Sequence, residues 1–145
     1  MTRTAGADFS CDREVAELVG RFESGELPPA DFDHRSHLAA ALWYAARYGE
    51  AGAADVMRGR LREYLDRHGL GRGVYHETLT LFWMRRVCAF LWAAPAGRPL
   101  FELANELARE AGDPRLVYGY YSEALIKSDE ARREWREPDL RPLDF

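Results

Sequence analysis

The chain has 145 residues, of which 47% are hydrophobic and 30% charged, and a net charge of −4 with neutral histidines. This is the composition of one globular domain. No basic stripe stands out in the sequence, and nucleic-acid binding is not expected because it depends on neutralising phosphates. The N-terminal residues lack the apolar core of a secretory signal. Arg85 and Arg86 interrupt the only run that suggests a membrane helix, so we expect a cytoplasmic protein with no membrane contact.

Helical periodicity begins after residue 10, so residues 1–10 are predicted to be a flexible tail and residues 11–145 a single domain. Apolar residues recur at helical spacing over 13–24 and predict the first helix. Asp12 is placed to cap its first turn, and Gly25 is placed to end it.

The next two predicted helices span 33–48 and 52–67. Asp31 or Asp33 caps the first of them, because a short side-chain oxygen accepts from the unpaired N–H groups at a helix start. Gly49 is expected to stop this helix. The short connection that follows favours an antiparallel pair.

The most apolar stretch of the chain, 75–92, predicts a central helix over about 76–93, because a helix that is apolar on nearly all sides is normally surrounded by other helices. A further helix is predicted over about 99–111. Shorter helical pieces are expected after Asp113, Ser122 and Ser128. The predicted fold class is therefore all-α, a bundle of five to six helices around the central helix.

The helix order should bring the histidines together. If neighbouring helices alternate in direction, the start of the second helix, the end of the third and the start of the central helix lie at one pole. The four histidines of the chain occupy these three ends; they are His34, His37, His68 and His76. His34 and His37 are three residues apart and share one helical face.

This cluster predicts a metal centre in which His34, His37 and His76 bind a divalent transition metal: zinc, iron, nickel or manganese. The positive end of a helix dipole should keep His76 neutral, as a metal ligand must be. Glu77 is the predicted catalytic residue, a general base acting on metal-bound water, or else a fourth ligand. The predicted pocket and supporting residues are Asp33, Tyr75, Thr78, Thr80 and Tyr121.

Two other interpretations remain open, as does whether the protein is an enzyme. In the first, the same residues form a metal-free pocket for a small molecule, or an interaction module, in a monomer or homodimer. The histidines then supply hydrogen bonds, and the aromatic walls come from Trp43, Tyr44, Tyr75, Trp83 and Tyr121. In the second, the histidines are a purely structural network. No organic cofactor is predicted.

Four segments carry a resemblance to a known family: FDHRSHLAAALWY (32–44), VYHETLTLFW (74–83), YYSEALIKSDEAR (120–132) and EPDL (137–140). Through them the chain resembles a bacterial family of small all-helical proteins that has no established activity, and the resemblance runs from about Leu27 to Leu140. It implies these motif positions: His34, His37, His76, Glu77, Thr78, Thr80, Tyr121, Ser122, Ser128 and Arg132. The chain is also similar in architecture to DinB-like bundles, which gather histidines from separate helices around a metal, although with a different spacing.

Overall fold

In the computed structural model, which describes residues 6–145 apart from the side chain of Arg72, the described chain forms six α-helices and three short 3-10 helices. The α-helices are α1 (Asp12–Ser24), α2 (His34–Arg67), α3 (Glu77–Ala93), α4 (Leu100–Ala111), α5 (Glu123–Ile126) and α6 (Asp129–Arg133). The 3-10 helices are Pro29–Asp31, Arg72–Val74 and Pro114–Gly119. No strand occurs within residues 6–145, which confirms the all-α prediction. Within the same residues, no helix is both long enough and apolar enough to cross a membrane.

The helix α2 reverses direction at Gly49, where the backbone adopts φ 72° and ψ 178°. A straight helix of 34 residues would be about 50 Å long. Yet the ring of Phe32, just before α2, lies 5.2 Å from the ring of Tyr64, near its end. The chain therefore folds back at Gly49, and the first half of α2 (34–48) runs antiparallel to the second half (50–67), as expected of the two separately predicted helices.

The predicted central helix is α3, and it belongs to two hydrophobic clusters. One of its faces packs with α1, α2 and α4 in the main core, where Val87 and Cys88 are buried. Another face carries Phe82 into a second core formed with the chain after α4. The C-terminal residues Leu143 and Phe145 pack against this second core.

The N-terminal segment departs from the predicted flexible tail. Residues 1–5 of that tail lie outside the described residues. Phe9 is buried, its backbone N–H donates to Asn105 Oδ1 at 2.8 Å, and its carbonyl accepts from Asn105 Nδ2 at 2.9 Å. The chain just before α1 is therefore attached to α4. Helical periodicity could not reveal this, because the anchor is one aromatic residue and one distant amide.

The helix starts show which caps are local. Asp33 caps α2 by accepting from the Ser36 N–H at 2.9 Å, as predicted, and the predicted caps Ser122 and Ser128 accept from N–H groups of α5 and α6. Asp12 does not cap α1. Its carboxylate accepts from the N–H of Phe101 at 2.9 Å and so caps the start of α4 instead.

Candidate functional site

A cavity of about 660 Å³ lies between the two halves of α2, the start of α3 and the 3-10 helix Pro114–Gly119. His34, His37 and His76 line this cavity, whereas His68 does not. The rest of its wall is largely apolar or aromatic, with Phe32, Leu38, Met57, Leu61, Tyr64 and Trp83 among the lining residues. The volume falls in the range of roughly 300–1,000 Å³ that is typical of small-molecule sites.

His34, at the start of α2, has one ring nitrogen committed. Its Nε2 lies 3.0 Å from the carbonyl oxygen of Ala111, and its ring stands edge-on to Trp83 at 4.5 Å between centroids. Burial lowers the pKa of His34 and outweighs the Ala111 bond, which favours the charged form. The ring is therefore neutral at pH 7. Because a carbonyl only accepts, Nε2 carries the hydrogen and Nδ1 keeps an uncommitted lone pair.

The imidazole of His37 has no hydrogen-bond partner among the described residues, although its backbone N–H donates to the Asp33 carbonyl at 3.0 Å. Its ring stacks on Phe32 with centroids 3.8 Å apart, so one face is in contact with an aromatic ring while the nitrogens are unpaired. Burial, reinforced by the neighbouring His34, lowers the pKa of His37 to about 4. The imidazole is thus neutral at physiological pH and offers one N–H donor and one lone pair.

His76 has both ring nitrogens in use. It is the N-cap of α3, and its Nδ1 accepts from the Leu79 N–H at 3.1 Å. Its Nε2 donates to the carbonyl of Ile126 at 2.7 Å. Burial lowers the pKa of His76, and the cap itself requires the neutral ring. His76 therefore has a structural role in the cavity wall, because both of its ring nitrogens already make hydrogen bonds within the protein.

Glu77, the predicted catalytic base, does not line the cavity. Its carboxylate accepts three bonds from the Arg58 guanidinium at 2.9–3.1 Å and one from the Tyr75 hydroxyl at 2.5 Å. Burial raises the pKa of Glu77, but the Arg58 and Tyr75 hydrogen bonds outweigh it and leave the pKa below its usual value. In this arrangement Glu77 ties the start of α3 to the second half of α2. Sequence reasoning missed Arg58, because the pairing joins two helices across 19 residues.

The four predicted pocket or supporting residues besides Tyr75 fall into two groups. Thr80 lines the cavity and donates to the His76 carbonyl at 2.8 Å, and Asp33 caps α2 beside the histidine pair. Thr78 and Tyr121 lie away from the cavity. Thr78 donates to the Glu134 carbonyl at 2.8 Å, and Tyr121 donates to the Arg136 carbonyl at 2.6 Å within the second core.

The predicted aromatic walls are partly replaced by others. Tyr75 and Trp83 line the cavity, whereas Trp43 and Tyr44 do not. Tyr44 instead donates to Glu23 at 2.7 Å. Sequence reasoning missed the aromatic lining residues Phe32, Tyr64 and Tyr118. For Tyr64 a signal existed, since it shares a helical face with two other lining residues, Leu61 and Leu65.

The mouth of the cavity is formed by the connections between helices. Leu70, Val74 and Tyr118 line it and are 45%, 55% and 40% exposed. Arg115 also lines the mouth, but its guanidinium is paired with Asp113 at 3.1 Å. The site therefore has a largely apolar wall, a mouth that includes Arg115 and the Tyr118 hydroxyl, and uncommitted ring nitrogens on His34 and His37.

The hydrogen bonds of the histidines bear on the predicted metal centre. Among residues 6–145, no three or more His, Cys, Asp or Glu side chains form a group that could hold a metal ion. A centre built from His34, His37 and His76 would require His76 to give up its cap on α3 or its bond to Ile126. Metal binding therefore stays a prediction from sequence.

Comparisons of the chain with protein-family models, with curated proteins and with solved structures find no match. The resemblance drawn from the sequence motifs consequently also stays a prediction.

Proposed function

We propose that this protein binds a small, predominantly apolar molecule in the cavity, without a metal ion. The observation that carries the proposal is His37: a neutral imidazole that lines an apolar cavity of about 660 Å³ and has no hydrogen-bond partner among the described residues. His37 is part-exposed, and a ligand that covered its ring without pairing it would leave the ring unsatisfied at a cost of about 1–3 kcal/mol. A ligand that brings one polar group to His37 avoids this cost while its apolar body fills the cavity.

The shape of the site supports the same proposal. The aromatic and aliphatic walls bury apolar surface, and each square ångström removed from water contributes about 25 cal/mol. The mouth lies on short connections, so a molecule reaches the cavity without separating the long helices. We place this activity in a cytoplasmic monomer or homodimer, following the expectations from the sequence.

Fluorescence titration with N-phenyl-1-naphthylamine, a neutral apolar probe, tests the proposal. Leu61→Trp adds an indole to the cavity wall and should weaken probe binding at least tenfold, because it fills the space. Leu140→Trp adds the same group at a residue that is 60% exposed and does not line the cavity, and should leave the affinity unchanged. Equal affinity of both folded variants for the probe, or no binding by the wild type, contradicts the proposal.

A metal-dependent function is the second candidate, and one observation favours it. Metal-bound histidines usually donate their second ring N–H to a carbonyl or carboxylate, as His34 does to Ala111. Metal analysis of protein purified without an affinity tag, with melting curves in zinc, nickel, manganese and ferrous iron, tests this candidate. Absence of bound metal together with unchanged melting temperatures would contradict it.

A further inference from the structure

Most hydrogen-bonding groups around the cavity already have partners within the protein. The hydroxyl of Tyr64 donates to the Leu27 carbonyl at 2.6 Å, that of Tyr75 to Glu77 at 2.5 Å, and that of Thr80 to the His76 carbonyl at 2.8 Å. His76 uses both ring nitrogens. Among the described lining residues, the imidazoles that keep uncommitted nitrogens are therefore His34 and His37.

The tautomer of His34 is fixed by its surroundings. Its Nε2–H donates to the Ala111 carbonyl, so Nδ1 can only accept. His37 is free to adopt either tautomer and offers one N–H and one lone pair. Together the pair presents two acceptors and one donor, so a matching ligand group must itself donate at least one hydrogen bond.

The charges around the pair disfavour an anion. Asp33 and Asp113 both lie close enough to His34 to raise its pKa, although burial lowers that pKa by more. The only arginine among the described lining residues, Arg115, is paired with Asp113 and its side chain is 83% exposed. A carboxylate inside the cavity would face two acidic neighbours and no unpaired buried cation, so its desolvation would not be compensated.

We infer that the ligand carries a neutral group that donates and accepts hydrogen bonds at once, of which a primary carboxamide on an apolar body is the simplest case. The amide N–H donates to Nδ1 of His34, and the amide oxygen accepts from the N–H of His37. An ester offers only acceptors and leaves the His34 lone pair unpaired. The inference rests on the proposed function and adds the chemical class that this site selects.

Competition against bound N-phenyl-1-naphthylamine at pH 7 tests the inference with three probes of equal chain length: octanamide, methyl octanoate and octanoate. Octanamide should bind at least tenfold more tightly than the ester and the carboxylate, as expected for one hydrogen bond left unmade in an apolar site. If the three compounds compete equally, or the ester or the carboxylate wins, the inference fails while the apolar site stands. If the fluorescent probe itself does not bind, the proposed function fails and the inference falls with it.

Substitutions assign the effect to the two rings. His37→Phe keeps the stacking on Phe32 but removes the ring nitrogens, and His34→Phe does the same beside Trp83. His34→Phe should weaken octanamide about tenfold and leave the ester within twofold, because only the amide donates to His34. His37→Phe removes the donor that both carbonyl oxygens use and should weaken both compounds. His68→Phe is the matched control, because His68 does not line the cavity, and it should change neither. Unaltered octanamide binding by folded His34→Phe and His37→Phe variants overturns the inference, and the wild-type comparison decides it if these variants do not fold.

Discussion

His37 combines a strongly apolar environment with an ionisable ring. Burial and the neighbouring His34 lower its pKa from 6.5 to about 4, so the folded protein disfavours the charged ring and the unfolded chain does not. Between these two pH values the unfolded state binds more protons than the folded state. The stability that neutral His37 provides is therefore complete above about pH 6.5 and is lost as the pH falls towards 4.

We expect the free energy of unfolding to fall by about 2 kcal/mol between pH 7 and pH 5 through His37, since each pH unit below its unfolded pKa costs about 1.4 kcal/mol. Urea unfolding at the two pH values measures this fall in the wild type and in His37→Phe. The variant should lose about 2 kcal/mol less, and it should retain a residual dependence from His34 and His76, whose pKa values burial also lowers. An identical pH dependence of both proteins would show that His37 is not held neutral.

At the scale of the element, the reversal inside α2 decides where the cavity lies. Gly49 has φ 72° and ψ 178°, a backbone conformation that is almost confined to glycine. A Cβ at this position would meet nothing within 4 Å, so the requirement for glycine comes from the backbone alone. The reversal brings the aromatic side chain of Tyr64 back to the helix start, where it lines the cavity together with His37.

We predict that Gly49→Ala lowers the free energy of unfolding by about 1–3 kcal/mol, because alanine must adopt a strained backbone there. Gly59→Ala is the matched control, since Gly59 lies in the second half of α2 with a negative φ and has nothing within 4 Å of an added Cβ. It should raise stability by about 0.5–1 kcal/mol. Chemical denaturation measures both, and a Gly49→Ala protein as stable as Gly59→Ala would contradict the proposed geometry of the reversal.

The helix ends separate what the sequence could predict from what it could not. Gly49 as a stop and Asp33 as a cap are local signals, and both were predictable because the partner atoms lie within a few residues. Asp12 has the same local pattern, yet it caps α4, whose start is brought to it only by packing. Glu77 likewise has the position of a helix-start carboxylate, but Arg58 from another helix determines its role. Local rules do not contain such cross-helix partners.

At the scale of the whole molecule, helix order alone predicted that His34, His37 and His76 would meet, and they line one cavity. Helix order could not predict where Tyr121 lies. Its ring belongs to the second core, and that core depends on how the short helices after α4 fold back onto α3. The sequence therefore indicated the pole where the histidines meet and two of the aromatic residues beside them, Tyr75 and Trp83, but not the others.

The two cores share α3, so we expect residues 11–145 to unfold in one cooperative step, as the predicted single domain requires. Far-UV circular dichroism and tryptophan fluorescence should give coincident urea transitions. Phe82→Ala removes a ring that is 1% exposed and should shift both transitions together, by about 3–5 kcal/mol. Two separated transitions, or a shift in only one signal, would mean that the second core folds independently.

The burial of Cys88 in the main core gives the unmodified protein an internal reporter of opening. Burial raises the pKa of its thiol to about 11, so at neutral pH almost no nucleophilic thiolate forms there, while Cys11 lies exposed just before α1. An alkylating reagent therefore modifies Cys11 in the closed protein and reaches Cys88 only when the bundle opens. The ratio of singly to doubly modified chains in a mass spectrum then gives the frequency of opening without any engineered label.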